Sequence, residues 1–275
     1  MAERLRVGIM CDGPVFQHWQ AECIRQVLAV PGVEPVVLIV HDKATTGHRK
    51  RSMKHALYRW FKNSRLHAKA LAPDDLDDLL SGIPKVLCRP VGPASAQRFE
   101  ANDLAAIKRH SPDVLLRFGF NILRGEILTL PTHGIWSYHH GDEEHYRGRP
   151  VGFWEIVDGE PVTGVTLQRL SEELDAGPVL RKGWFGTVDH SLSENLDNVM
   201  LGSTGWMAQI CRDLLAGRTG AAQGIPSASR APVREAPGNM DLLGFLLTCN
   251  TNRIAHNQRR AAQRDEWNIG VLYQP

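Results

Sequence analysis

Apolar and polar positions divide the chain into short β-branched runs separated by stretches with helical spacing. "LRVGIM" (5–10) and "VEPVVLIVHD" (33–42) are continuous enough in apolar character to be buried strands. Between them, "HWQAECIRQVLAV" (18–30) sets Trp19, Cys23, Val27 and Leu28 near one helical face. Strand, helix and strand within about 40 residues form a βαβ unit, which calls for a parallel sheet covered by helices. The rhythm recurs in a strand at "PKVLCRPV" (84–91), a helix at "FEANDLAAIKRH" (99–110) and a central strand at "PDVLLRFGF" (112–120). Further strands are expected at "GVTLQRL" (164–170) and "GPVLRKGWFGTV" (177–188). A helix follows over 191–217, with Ser191 or Ser193 as N-cap and Gly217 at its end. The pattern predicts an α/β domain over 1–216 with a mostly parallel sheet.

Three stretches break the rhythm. Residues 43–73 carry nine Lys/Arg and no acid, and Met53, Ala56, Leu57, Trp60 and Phe61 fall on the spacing of an amphipathic helix. That helix is expected to lay its apolar stripe on the domain. Its basic face would stay in solvent or meet phosphate, nucleotide or anionic lipid head groups. Residues 217–240, rich in Gly, Ala, Pro and Ser, read as a linker. Residues 241–275 read as an Arg-rich helix followed by the start of a strand, "WNIGVLYQP", which would pair back onto the domain or onto another chain, as in a homodimer.

Composition narrows the class without changing it. Of 275 residues, 43% are hydrophobic and 23% charged, and the formal net charge of +2 is too small to argue for nucleic acid. No run of apolar residues is long enough for a membrane span, and the first residues lead into a strand without a signal-peptide pattern. Five scattered cysteines without a CxxC pair suggest reduced thiols in a cytoplasm.

The chemistry is concentrated in "GIWSYHHGDEEHYRGRPVGFWEI" (134–156). As a strand, Ile135 to His139 points Ser137 and His139 to one face and Trp136, Tyr138 and His140 to the other. A metal site could draw on His139, His140, His145 and the acids, but adjacent strand residues cannot ligate one ion together and no HExxH spacing is present. A serine hydrolase built on Ser137 would need a GxSxG elbow, which is missing. A general acid/base histidine at the carboxyl end of a strand, with a carboxylate from elsewhere, fits the layout.

Here the sequence resembles the family of formyltransferases that use 10-formyltetrahydrofolate. The resemblance runs through "GIWSYH", "YRGRPVGFWEIVDGE", "TGVTLQRL" and "LDAGPVL" in order, with "PDVLLRFGFNIL" upstream, over about residues 112–182. It implies a Rossmann-like formyltransferase fold with His139 and Asp175 as the catalytic pair. It also implies a folate site at Phe120, Asn121, Ile122, Leu123 and Asp175, and substrate contacts at Tyr146, Arg147 and Gly148. Ser137 stands where the family has an Asn whose amide donates to the oxyanion. Asp142 and Glu143, with Glu144, stand where an acceptor amine approaches and would bind a cationic or polyhydroxylated substrate. The resemblance favours formyl transfer to an amine, such as a nucleotide- or lipid-linked amino sugar. The chain is too short for the C-terminal domain with which the initiator-tRNA enzymes bind tRNA, so nucleic acid is not expected as a partner. Hydrolysis of formyl-folate on the same scaffold and a catalytically silent binding module are the alternatives.

Overall fold

The computed structural model describes residues 4–42, 53–173, 176–227 and 231–271, with side chains to residue 262. Seven strands form one sheet: β1 (Leu5–Cys11), β2 (Val33–His41), β3 (Lys85–Cys88), β4 (Val114–Arg117), β5 (Ile135–His139), β6 (Val162–Arg169) and β7 (Val179–Gly186). Their order is β7-β6-β5-β4-β1-β2-β3, and the pairs from β5 through β3 are parallel. Only β6 runs against its neighbours. The chain leaves β1 toward β2 and β3, then returns to the other side of β1 with β4. This reversal opens a crevice at the carboxyl ends of β1 and β4, the usual ligand position in such sheets.

Helices α1 (His18–Leu28), α2 (Ala56–Ser64), α3 (Ala101–Lys108), α4 (Phe153–Asp158), α5 (Leu192–Gly202), α6 (Trp206–Leu215) and α7 (Asn239–Val271) cover the sheet. On one face, α1 and α6 pack Val27, Met207 and Ile210 on Val7, Leu116, Trp136 and Leu167. On the other, Ile107 of α3 packs on Met10, Ile39, Leu115 and Ile135.

Four details differ from the sequence reading. The helix expected over 191–217 is broken into α5 and α6 at Ser203–Gly205. The Ser203 hydroxyl donates to the Val199 and Met200 carbonyls and Thr204 to Leu201, capping the first helix from within. Helix α2 docks through Tyr58 and Phe61 against Phe153 and Phe245, which leaves Met53, Leu57 and Trp60 exposed at 77%, 40% and 51%. Residues 267–271, read as the start of a strand, are the end of α7. The remainder of that segment, 272–275, and the basic residues of 43–52 lie outside the described residues. Finally, the stretch read as a linker lies on the domain: Val233 and Arg234 pair in parallel with Arg147 and Gly148, and Ile225 bridges Val179.

The first turn of α7 also meets the insert. Asn239 accepts from the Leu57 amide and donates to the Met53 carbonyl, while Phe245 stacks on Phe153 with centroids 4.5 Å apart. Insert and tail therefore share one aromatic cluster with α4 and α5.

Candidate active site

Ser137 and His139 share a face at the carboxyl end of β5, and on the adjacent strand Gln168 and Thr166 stand opposite them in register. A small pocket of about 70 Å³ that opens to solvent is lined by Arg117, Ile122, Leu123, Ser137, Gln168 and Leu170 among others. Gln168 is 4% exposed, and its Oε1 accepts no hydrogen bond from the described residues. The orphaned buried acceptor beside Ile122, Leu123 and Leu170 suits a ligand that bears an N–H donor.

The half-buried His139 places Nε2 2.9 Å from the Tyr146 carbonyl. A carbonyl accepts only, so Nε2 carries the proton and Nδ1 is the basic nitrogen. His140 faces the other way, 7% exposed, its ring 4.6 Å from Trp19 and stacked on Tyr138. Burial first, and then the neighbouring His139, push its pKa down to about 3, so it is a neutral packing residue. The two histidines thus separate as the alternation of a strand demands.

Ser137 is 3% exposed, and its hydroxyl accepts from Arg117 Nη1 at 3.0 Å. Of the residues expected at a folate site, Ile122 and Leu123 line the same pocket. Phe120 turns its ring onto His41 and Phe99, and Asn121 donates its amide to Gln97. Asp175 lies outside the described residues. Arg117 was not singled out from the sequence, although a lone arginine closing the apolar run "VLL" was a usable signal.

The acidic loop differs from expectation. Asp142 and Glu143 turn inward onto Lys182 of β7, at 2.6 and 3.3 Å, and are not presented to an incoming amine. Asp142 also accepts from Trp184 and the Glu144 amide, and Glu143 from the Thr166 hydroxyl. Burial raises the Asp142 pKa, but the Lys182 hydrogen bond and those from Glu144, Trp184 and His145 outweigh it and bring the value to about 2. Glu144 is the acid of the three that stays exposed, with 51% of its side chain in solvent. Gly164 makes the loop's seat. A Cβ there would stand 2.8 Å from the Asp142 backbone nitrogen, so Gly164→Ala is expected to cost about 1–3 kcal/mol in chemical denaturation. An unchanged midpoint would show that the loop can lift.

Tyr146, Arg147 and Gly148 serve the scaffold. The Tyr146 hydroxyl donates to Asp158, Arg147 donates to the Ala231 carbonyl, and Arg234 pairs with Asp158 while lying over Tyr146 and Trp154. The Tyr-Arg-Gly turn thereby fastens the segment after α6 across the site.

In the next helix Glu155 is 2% exposed, and burial raises its pKa from 4.5 to about 7. The folded chain then holds a proton that the unfolded chain releases above about 4.5, so stability is greatest at low pH and falls as pH rises through about 7. Glu155→Gln is expected to flatten the dependence of the melting temperature between about pH 5 and pH 8, a span of about 3 kcal/mol. A variant with the wild-type slope would contradict this.

Among the described residues one trio, His18, Glu22 and Asp74, has metal-ligand spacing, and Arg25 already pairs with both of its carboxylates. The described cysteines are all free and buried, and no described helix is long and apolar enough to cross a membrane.

An open α/β sheet with a histidine at a strand end near a lined pocket is the layout of a small-molecule site. The sequence profile of the formyl transferase family matches residues 6–198, more than half of the chain, and the chain belongs to that family. It is 32% identical over 120 residues to the methionyl-tRNA formyltransferase of Thermodesulfovibrio yellowstonii; this stretch is 43% of the chain and 36% of that relative. The fold is similar to a sugar N-formyltransferase from Shewanella sp. FDAARGOS_354, with a TM-score of 0.53, 14% identity, and 89% and 87% of the two chains covered. It is also similar to glycinamide ribonucleotide transformylase 1 from Symbiobacterium toebii, with a TM-score of 0.51, 16% identity, and 79% and 91% covered. A formyltetrahydrofolate deformylase from Pseudomonas syringae pv. tomato aligns with a TM-score of 0.51 and 18% identity, over 79% of this chain and 63% of that one.

Proposed function

We propose that this chain is an N-formyltransferase that moves the formyl group of 10-formyltetrahydrofolate to an amine, with a nucleotide- or lipid-linked amino sugar as the acceptor. The observation that carries the reading is the shared face of Ser137 and His139 beside a pocket whose buried Gln168 Oε1 awaits a donor. Formyl-folate, when bound, supplies an activated formyl carbon. The amine nitrogen forms a bond to that carbon as the bond to the folate nitrogen breaks. His139 Nδ1 accepts the amine proton, directly or through water, and returns it to the departing nitrogen. The Ser137 hydroxyl donates to the oxygen on which charge develops. Asp175, by resemblance, is the carboxylate partner of this chemistry.

The acceptor enters past the exposed Glu144, while Asp142 and Glu143 hold the loop. The basic segment 43–73 suits a phosphate-bearing acceptor or an anionic surface, and the exposed Met53, Leu57 and Trp60 beside α7 suit such a contact or a homodimer. Free, buried cysteines fit a cytoplasmic protein.

The test is release of tetrahydrofolate from 10-formyltetrahydrofolate, with and without a panel of amino sugars. Release that requires the amine supports transfer. Equal release without it makes the chain a hydrolase, and none despite folate binding makes it a silent module.

A further inference from the structure

We propose that Arg117 is a catalytic residue of this site, supplying positive charge to the developing oxyanion together with the Ser137 hydroxyl that it polarises. The assignment rests on the formyl-transfer reading above. In β4, Val114, Leu115 and Leu116 are fully buried, and the next residue of that apolar strand is an arginine. Its guanidinium is held in a plane by three oxygens: Ser137 Oγ at 3.0 Å and the Phe120 and Asn121 carbonyls at 3.1 and 2.8 Å. Phe120 has a φ of 66°, a left-handed conformation unfavourable for a non-glycine residue, and it sits in the turn whose carbonyls reach back to the arginine. The turn is therefore shaped around the guanidinium, as expected of a group that must keep one orientation.

The direction of the Ser137 contact matters. An arginine only donates, so Ser137 Oγ is the acceptor, and its own O–H is left to donate elsewhere. Both side chains line the pocket with Gln168, which stands opposite Ser137 in register. A hydroxyl that accepts from a cation is a stronger donor than an isolated one. Two residues further along the same face stands His139, about 7 Å away along the strand. That gap takes a formyl carbon with its oxygen toward Ser137 and Arg117 and its entering and leaving nitrogens toward His139. Serine is shorter than the amide that the resemblance places here, and the guanidinium fills out the donor set in its stead.

The test compares Arg117→Ala, Arg117→Gln and the double variant Arg117→Ala/Ser137→Asn in amine-dependent release of tetrahydrofolate. Arg117→Gln keeps an N–H for the turn carbonyls and removes the charge, so it remains informative if the alanine variant does not fold. Both single variants are expected to lower kcat about 100- to 1,000-fold. KM for formyl-folate should stay within about threefold, because the interaction matters chiefly in the transition state. The double variant should recover at least about tenfold, since an asparagine amide restores one neutral donor. A kcat within about threefold of wild type in a single variant overturns the assignment and leaves formyl transfer standing. A loss that the double variant does not rescue also overturns it and makes Arg117 a strut. Wild-type protein that releases no tetrahydrofolate with any amine removes the formyl-transfer reading and this assignment with it.

Discussion

His139→Ala is expected to lower amine-dependent formyl transfer by about 100- to 10,000-fold while leaving the folded structure intact. The side chain is half-buried, and its Nε2 lies 2.9 Å from the Tyr146 carbonyl. Its loss removes the basic nitrogen beside the pocket and little packing. The adjacent His140 supplies the contrast. It is buried between Trp19 and Tyr138, so His140→Ala should lower the melting temperature by opening a cavity and leave the proton-transfer chemistry in place. Steady-state rates and melting curves on the two variants check this pair. Activity retained in His139→Ala would remove the role assigned to it.

Lys182→Met is expected to destabilise the protein by about 3–5 kcal/mol at neutral pH, because it strands two buried carboxylates. Lys182 touches Asp142, Glu143 and Glu144, and Glu143 is only 2% exposed. A methionine fills the same volume without charge, so the loss reports the uncompensated acids and not a cavity. The sign with pH separates this from general damage. In the wild type Asp142 is held at about 2, below its usual 3.8, so its contribution is present above about 3.8 and lost as pH falls toward 2. Lys182→Met removes the largest of the hydrogen bonds that offset burial at Asp142, so its pKa should rise and the variant's deficit against wild type should narrow as pH falls from about 7 to about 5. Denaturant titrations at the two pH values decide it. A variant as stable as wild type at neutral pH would mean that the acids find other partners or water.

The sheet was legible because its strands are short apolar runs with turn residues between them, and every main-sheet strand lies within a few residues of the pattern read from sequence. The split of Ser137 and His139 from His140 was legible for the same reason, since alternation in a strand is geometric. What was not legible depended on partners far away in sequence. Asp142 and Glu143 read as acids open to a substrate until Lys182, some 40 residues on, is brought beneath them by the antiparallel β6 and β7. Helix α2 shows an apolar stripe whose dominant side is settled by Phe153 and Phe245, on elements about 100 and 190 residues away. Arg117 carried a signal, a lone arginine closing the apolar run "VLL", but its role shows only when Ser137 is seen against it.

The most direct measurement of the central claim follows the formyl carbon itself. With 10-formyltetrahydrofolate labelled with ¹³C in the formyl group and an amino-sugar acceptor, carbon NMR should show the label moving into an N-formyl amide, at a rate that falls with His139→Ala. Label that appears as free formate at the same rate with or without the amine, or that stays on the folate throughout, would contradict formyl transfer.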